Sequence, residues 1–261
     1  MHRHDHAWGC PPVLILAAGR GRRLGPAAPD CPKILLPFGG RTLLQRHLER
    51  LAEAGAGPVT LVVGYRAELI EAELERLGRR DQVTLIRNPD WHEGSVVSLD
   101  AGRAVLENGG PAVLMDADVI YDQRLIDRLL GSAHPDVLLL DRELEPGDEP
   151  VKICLSEDGR IVDFAKRPEA PHAWHGESVG FFRFSAETAA RLALRAHALV
   201  HGGGRMLEYE EPIRALIRED ASGPRLFGCE DITGLPWTEI DFMEDIAKAE
   251  LLLPLLEGQP A

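Results

Sequence analysis

A chain of 261 residues that is 44% apolar and 27% charged has the composition of a globular protein large enough for a substantial core. Its net charge of −13 argues against nucleic acid or an anionic membrane surface as the main partner, so an anionic ligand must be met by a local basic cluster. No apolar run approaches the ~20 residues of a membrane span, and four scattered cysteines without a CxxC pair point to free thiols in a reducing cytoplasm.

The start of the chain, Met1-His2-Arg3-His4-Asp5-His6, has no signal-peptide core, and residues 1–10 are expected to be a disordered leader. The apolar run at 13–16 then reads as a buried strand. Behind it come the small residues Ala17, Ala18, Gly19 and Gly21 and three arginines, Arg20, Arg22 and Arg23, with Lys33 ten residues further on. Small residues permit close approach to the backbone, and guanidinium forks suit phosphate oxygens. The loop lacks the third glycine of a dinucleotide fingerprint and the Gly-Lys-Ser/Thr of a P-loop, and Pro26, Pro29 and Pro32 prevent an immediate helix. A polyphosphate site of another kind is indicated.

Further along, Leu44, Leu48 and Leu51 recur at helical spacing, residues 59–63 read as a strand, and Ile70, Leu74 and Leu77 mark a helix. A strand at 83–86, a helix over 95–106 and a strand at 112–115 complete an alternation that predicts an α/β fold, a parallel sheet covered on both faces. Residues 11–140 form this core. After Asp141 the pattern changes: 151–155 and 161–164 flank Asp158-Gly159 as a β-hairpin. Residues 143–150 and 168–176 read as loops, 186–199 and 209–217 as helices, and 237–241 as a strand entering a last helix. One domain spanning 11–261, with an elaborated half at 141–261, is expected.

Ligands of open parallel sheets bind beyond the carboxyl ends of the strands. That rule brings the Gly19 to Lys33 loop together with Asp116-Ala117-Asp118 at the end of a buried strand. Two such carboxylates suit Mg²⁺, or one of them caps the following helix.

Leu16-Ala17-Ala18-Gly19-Arg20-Gly21-Arg22-Arg23-Leu24 with Pro32-Lys33 resembles the signature of the nucleotidyltransferases that join a nucleoside triphosphate to a phosphorylated sugar or small alcohol. The likeness continues, in family order, through Val62 to Tyr65, Asn88-Pro89, Gly94 to Leu99, Asp116 to Asp118 and Trp237 to Asp241. It implies a three-layer αβα Rossmann-like fold with a mostly parallel mixed sheet and a small β-rich elaboration on the acceptor side. The short length and the segment from Asp116 to Asp122 are most similar to cytidylyltransferases acting on phosphocholine, 2-aminoethylphosphonate or inositol phosphate.

The resemblance implies that Leu16 to Gly19, Gly21, Asn88, Ser95 and Asp116 surround CTP, that Arg23 and Lys33 grip its triphosphate, and that Asp118 and Asp241 hold Mg²⁺. Lys152 would meet the phosphate or phosphonate of the acceptor, with Lys166 and Arg160 as competitors. Glu208, Tyr209 and Glu210 resemble the acidic, aromatic segment that receives a cationic acceptor, or they are an exposed acidic helix start.

Overall fold

The computed structural model describes residues 10–25, 30–144, 147–221, 223 and 226–257; the expected leader at 1–9, Pro26 and Pro29 lie outside them. The first apolar run forms β1 (Val13–Ala17). A short ribbon, β2 (Pro37–Phe38) and β3 (Arg41–Thr42), leads into α1 (Leu43–Ala54). The Thr42 side chain caps α1 by accepting from the Gln45 N–H, and Gly55 ends it in the left-handed region, where a Cβ would be strained. Then come β4 (Val59–Val63), α2 (Ala67–Arg76), β5 (Val83–Arg87), α3 (Ser95–Ala101), α4 (Arg103–Leu106) and β6 (Ala112–Asp116).

The expected helix over 95–106 is thus broken. Gly102 separates its two parts, and a Cβ there would lie 2.6 Å from Leu14 Cδ1, so a larger residue would have to displace the Leu14 side chain.

The remaining elements are β7 (Val119–Tyr121), α5 (Gln123–Gly131), β8 (Asp136–Asp141), β9 (Lys152–Leu155), β10 (Ile161–Ala165) and β11 (Trp174–Phe184). After these come α6 (Ala186–His201), α7 (Glu210–Asp220), β12 (Phe227–Asp231), β13 (Trp237–Glu239) and α8 (Met243–Leu256).

The central sheet runs β10-β9-β11-β6-β1-β4-β5, with β8 also on β11 and β12 on β8. Strands β6, β1, β4 and β5 are mutually parallel, whereas β11 runs antiparallel to β6, β8 and β9. Alternation along β1 and β6 divides the core into two layers. Val13, Ile15, Val113 and Met115 face the layer containing α1 and α5, and Leu14, Ala112 and Leu114 face the layer containing α3 and α6. The fold is the three-layer αβα arrangement expected.

The hairpin β9–β10 forms around Gly159, which takes φ 74°. Six strands (β2, β3, β7, β8, β11 and β12) and α5 lacked a sequence reading. The loop expected over 168–176 stops short, because Trp174 to Gly176 pair with Leu155 to Ile153 of β9. Gly176 and Gly180, with the charges Glu177 and Arg183, hide β11 from a periodicity search. The strand expected over 237–241 ends at Glu239 and pairs with β7 off the main sheet, leaving Asp241 beyond it.

Asp163 ties the hairpin to α7. Its fully buried carboxylate accepts from the Phe164, Glu169 and Ala170 N–H groups and from Arg214 at 2.7 and 3.1 Å. Burial would raise this carboxyl, but Arg214 and the three amides outweigh it and hold it well below the usual range. Asp163→Ala removes both short hydrogen bonds of the Arg214 guanidinium, leaving it only the exposed Glu169 carboxylate at 3.4 Å, and is expected to cost about 3–5 kcal/mol of stability. Urea denaturation measures it, and a loss under about 1 kcal/mol would contradict the assignment.

Candidate active site

A cleft of about 310 Å³ opens beyond the carboxyl ends of β1 and β6. Leu16, Ala17, Ala18 and Gly19 line one side of it, and Ser95 and Ser98 of α3 another. Gly21 is required by two constraints at once. It takes φ 69°, and a Cβ there would lie 2.7 Å from Lys33 Cγ, so the lysine stem lies directly against the backbone. A single helical turn (Arg22–Leu24) presents Arg23, and a second (Lys33–Leu35) presents Lys33.

The two basic residues meet the two aspartates expected to hold metal. Lys33 Nζ donates to Asp118 Oδ2 at 2.8 Å and to Asp241 Oδ1 at 2.5 Å. Arg23 donates to Asp241 Oδ2 at 2.5 Å and pairs with Glu149 at 3.1 Å, and Glu149 in turn accepts from Lys166 at 3.0 Å. An alternating chain of charge therefore crosses the cleft from Lys166 to Asp118. Burial alone would depress the Lys33 ammonium, yet Asp118 and Asp241 outweigh it and hold it charged. Desolvation likewise works against the Asp241 carboxylate, but Lys33 and Arg23 keep it below its ordinary range.

Glu239 belongs to the same cluster. Oxygens of Asp118, Glu239 and Asp241 all lie within 4.8 Å of one another. Strand alternation from Glu239 to Asp241 is the signal that could have found it. Although solvent reaches its side chain, desolvation and the charges of Asp118 and Asp241 push the Glu239 carboxyl well above the usual range. Three hard oxygen donors facing one ammonium are a donor set that fits a Mg²⁺-class ion. The capping role that the sequence left open for an aspartate falls to Asp122, whose carboxylate accepts from the Arg124 N–H at the start of α5.

Asp116 also faces the cleft, and Tyr209 donates to its Oδ2 at 2.7 Å. Gly180 closes over the same carboxylate: it takes φ 77°, and a Cβ would lie 2.0 Å from Asp116 Oδ2. Beneath the turn, the fully buried His47 bonds the Ala117 carbonyl through Nε2 at 3.0 Å and lies 3.3 Å from the Tyr121 hydroxyl. Burial pushes its imidazole down to about 4, so the neutral ring donates to the carbonyl. Neither Gly180 nor His47 carried a recognisable sequence signal.

Other expected residues are placed differently. Asn88 is buried, donating to Ser98 Oγ at 3.0 Å and accepting from the Asp90 N–H at 2.9 Å; it supports the cleft without lining it. Lys152 lies outside the lining. Its ammonium donates to the Lys166 carbonyl at 2.9 Å and the Pro150 carbonyl at 3.3 Å, while the Lys166 side chain does face the cleft. Arg160 donates to the Asp220 and Gly223 carbonyls.

Arg20 lies over the Tyr65 ring at 5.3 Å, and the Arg22 side chain lies outside the described residues, so Arg23 is the arginine seen in the cleft. Tyr209 is buried with its hydroxyl on Asp116, and Glu208 accepts from Ser95 at 2.6 Å, so the segment 208–210 closes the cleft beside α3. Gly94 permits this junction, since a Cβ there would lie 2.1 Å from the Leu207 carbonyl oxygen.

Nine carboxylates line the cleft against Arg23, Lys33 and Lys166, a balance that favours cations in at least part of it. Glu177 shows what the crowding does: burial, with Asp141 adding, pushes its carboxyl up to about 7 against the pull of Lys152. A carboxyl raised on folding binds its proton more tightly in the native state, so stability falls as pH rises from ~4.3 through 7. Glu177→Gln is therefore expected to be more stable than wild type at pH 8, by on the order of 2 kcal/mol, and no more stable at pH 4. Urea midpoints at the two pH values measure this; the same difference at both would refute it.

Residues 13–208 match the family described as the MobA-like NTP transferase domain. A bifunctional IPC transferase and DIPP synthase from Rubrobacter xylanophilus is 30% identical over 244 residues, covering 91% of this chain and 51% of that protein. The chain spans about half the length of the curated relatives it matches. Among solved structures, the inositol-1-phosphate CTP transferase from T. maritima superposes with a TM-score of 0.72 at 21% identity, covering 97% of this chain and 99% of the other. The CTP:phosphocholine cytidylyltransferase from Streptococcus pneumoniae gives 0.75 at 22% identity, covering 94% and 99%. These two likenesses concern the fold.

Proposed function

Because the chain belongs to the MobA-like NTP transferase family, we propose that it transfers a nucleotidyl group, CMP from CTP, to a small phosphorylated alcohol or phosphonate. The observation that carries this reading is Lys33 held between Asp118 and Asp241, with Arg23 beside them, at the mouth of a cleft beyond the parallel strands. Cytidine as the base draws support from the motifs that resemble cytidylyltransferases and from the CTP-dependent activities named for the two fold neighbours.

An acceptor phosphate or phosphonate oxygen attacks the α-phosphorus in line. The new P–O bond forms as the bond to the β-phosphate oxygen breaks, and pyrophosphate departs. The nucleophile is already an anion, so no general base or covalent intermediate is needed, and catalysis consists of positioning and charge neutralisation. Lys33 and Arg23 exchange their carboxylate partners for phosphate oxygens. Asp118 and Asp241, with Glu239 beside them, would hold a Mg²⁺-class ion, which supplies further neutralisation of phosphoryl charge when bound. Ser95 and the backbone of Ala17 to Gly19 orient the nucleoside, Asp116 is held by Tyr209, and Lys166 is the cation nearest in kind to an acceptor-phosphate ligand.

Phosphocholine or 2-aminoethylphosphonate is the favoured acceptor class, because the carboxylate excess of the cleft suits a cationic head group. Inositol 1-phosphate is the second reading, supported by the likeness to the IPC transferase across most of the chain. Pyrophosphate release measured over a panel of nucleoside triphosphates and acceptors tests both. Turnover with CTP and a cationic phospho-acceptor is expected. Turnover only with a sugar 1-phosphate, or nucleotide binding without turnover for any acceptor, would replace this reading with a sugar nucleotidyltransferase or a nucleotide sensor.

A further inference from the structure

A second group of metal-ligating side chains lies on the layer formed by α3 and α6. His197 and His201 stand four residues apart near the end of α6, which puts both imidazoles on one face of the helix. Their ring centroids are 4.2 Å apart. Asp100 of α3 turns toward them: its side chain is 11% exposed, and Oδ1 lies 3.1 Å from His197 Nδ1. One donor atom from each of the three residues falls within 4.8 Å of the other two. The helices beneath are fixed against each other by Leu99 of α3 and Ala193 and Ala196 of α6, all fully buried.

We propose that Asp100, His197 and His201 form a second metal site, for Zn²⁺ and similar transition ions, that clasps α6 to α3. Two imidazole nitrogens and one carboxylate oxygen are borderline donors that favour such ions over Mg²⁺. The cluster at Asp118, Glu239 and Asp241 is all oxygen and has the opposite preference. Donors around a tetrahedral ion with bonds of ~2.1 Å sit ~3.4 Å apart, close to the His197–Asp100 separation, and a donor of the exposed His201 lies within 4.8 Å of both.

The ion takes the place of the hydrogen between His197 Nδ1 and Asp100, and the neutral ring then carries its proton on Nε2. Arg103 donates to the same Asp100 oxygen at 3.3 Å from a partly exposed position and can withdraw into water. Water completes the coordination on the open side. Ser95 and Ser98, which line the nucleotide cleft, are carried by the helix the ion would hold.

Co²⁺ titration of the full chain tests this, because a tetrahedral nitrogen and oxygen site gives a visible absorption band that an all-carboxylate site with octahedral geometry lacks. The wild-type protein is expected to develop the band and to lose it when Zn²⁺ is added. His201→Ala, an exposed position that leaves the fold undisturbed, should weaken binding at least about tenfold, and so should Asp100→Asn. The band should persist when His2, His4 and His6 are replaced, and when Asp118 and Asp241 are changed to Asn. An unchanged band in His201→Ala, or its loss on replacing the N-terminal histidines, would overturn the proposal.

Discussion

Lys33→Met is expected to lower turnover at least about a hundredfold while leaving the protein folded, the scale of removing a principal electrostatic contact to a transition state. The side chain is 12% exposed and its ammonium sits between two carboxylates. Methionine keeps the packing of the stem on Gly21 and removes only the charge. The same change takes the counter-charge away from Asp118 and Asp241, so divalent cations should bind the variant more tightly even as turnover falls. Steady-state kinetics with a parallel Mn²⁺ titration reads both effects. Near wild-type turnover would remove Lys33 from the reaction, and lost turnover with weakened metal binding would reassign it to a structural role.

Asp241→Asn should be equally damaging for a different reason. The carboxylate is shared by Lys33 and Arg23 and stands in the oxygen cluster with Asp118 and Glu239. Asparagine preserves its shape but loses the charge that orients both cations and the affinity for a hard ion. We expect turnover to fall about a hundredfold or more, and the Mg²⁺ concentration needed for half-maximal rate to rise about tenfold or more. A variant with unchanged Mg²⁺ dependence would show that the ion is held elsewhere. Lys33→Met should tighten metal binding where Asp241→Asn weakens it, so the pair separates the two halves of the cluster.

The centre of the parallel core was legible because β1, β4 and β6 are buried on both faces. Residues 13–17 and 112–115 are continuous apolar runs and 59–63 is interrupted only by Thr60, so no partner strand is needed to recognise them. Strand β11 was not, since Gly176, Glu177 and Gly180 break the pattern. Its middle wraps the cleft rather than packing only into the core, and Gly180 is there to let Asp116 approach. The helix over 95–106 was read as continuous because spacing shows which face is apolar but not how near β1 lies at Gly102. The local turns at Gly55 and Gly159 were set by residue type alone.

The candidate site divides in the same way. Short-range features singled out Gly21, Arg23, Lys33, Asp118 and Asp241 as candidates, because each lies in a motif of residue types that would suit phosphate or a hard cation. Long-range geometry was needed for everything that depends on which side chains end up facing one another. Lys152 and Lys166 look interchangeable along a hairpin, but only Lys166 reaches the cleft, since Lys152 points its ammonium at backbone carbonyls. Tyr209, read as an aromatic contact for an acceptor, lines the cleft with its hydroxyl on Asp116, a partner that no neighbouring residue announces. By itself the sequence determined the αβα core and the residue types of the candidate phosphate-binding loop, because burial and local backbone freedom are written in consecutive residues. Only the tertiary structure decided the partners of each charge, because an ion pair between residues 33 and 241 has no trace in either neighbourhood until the chain brings them together.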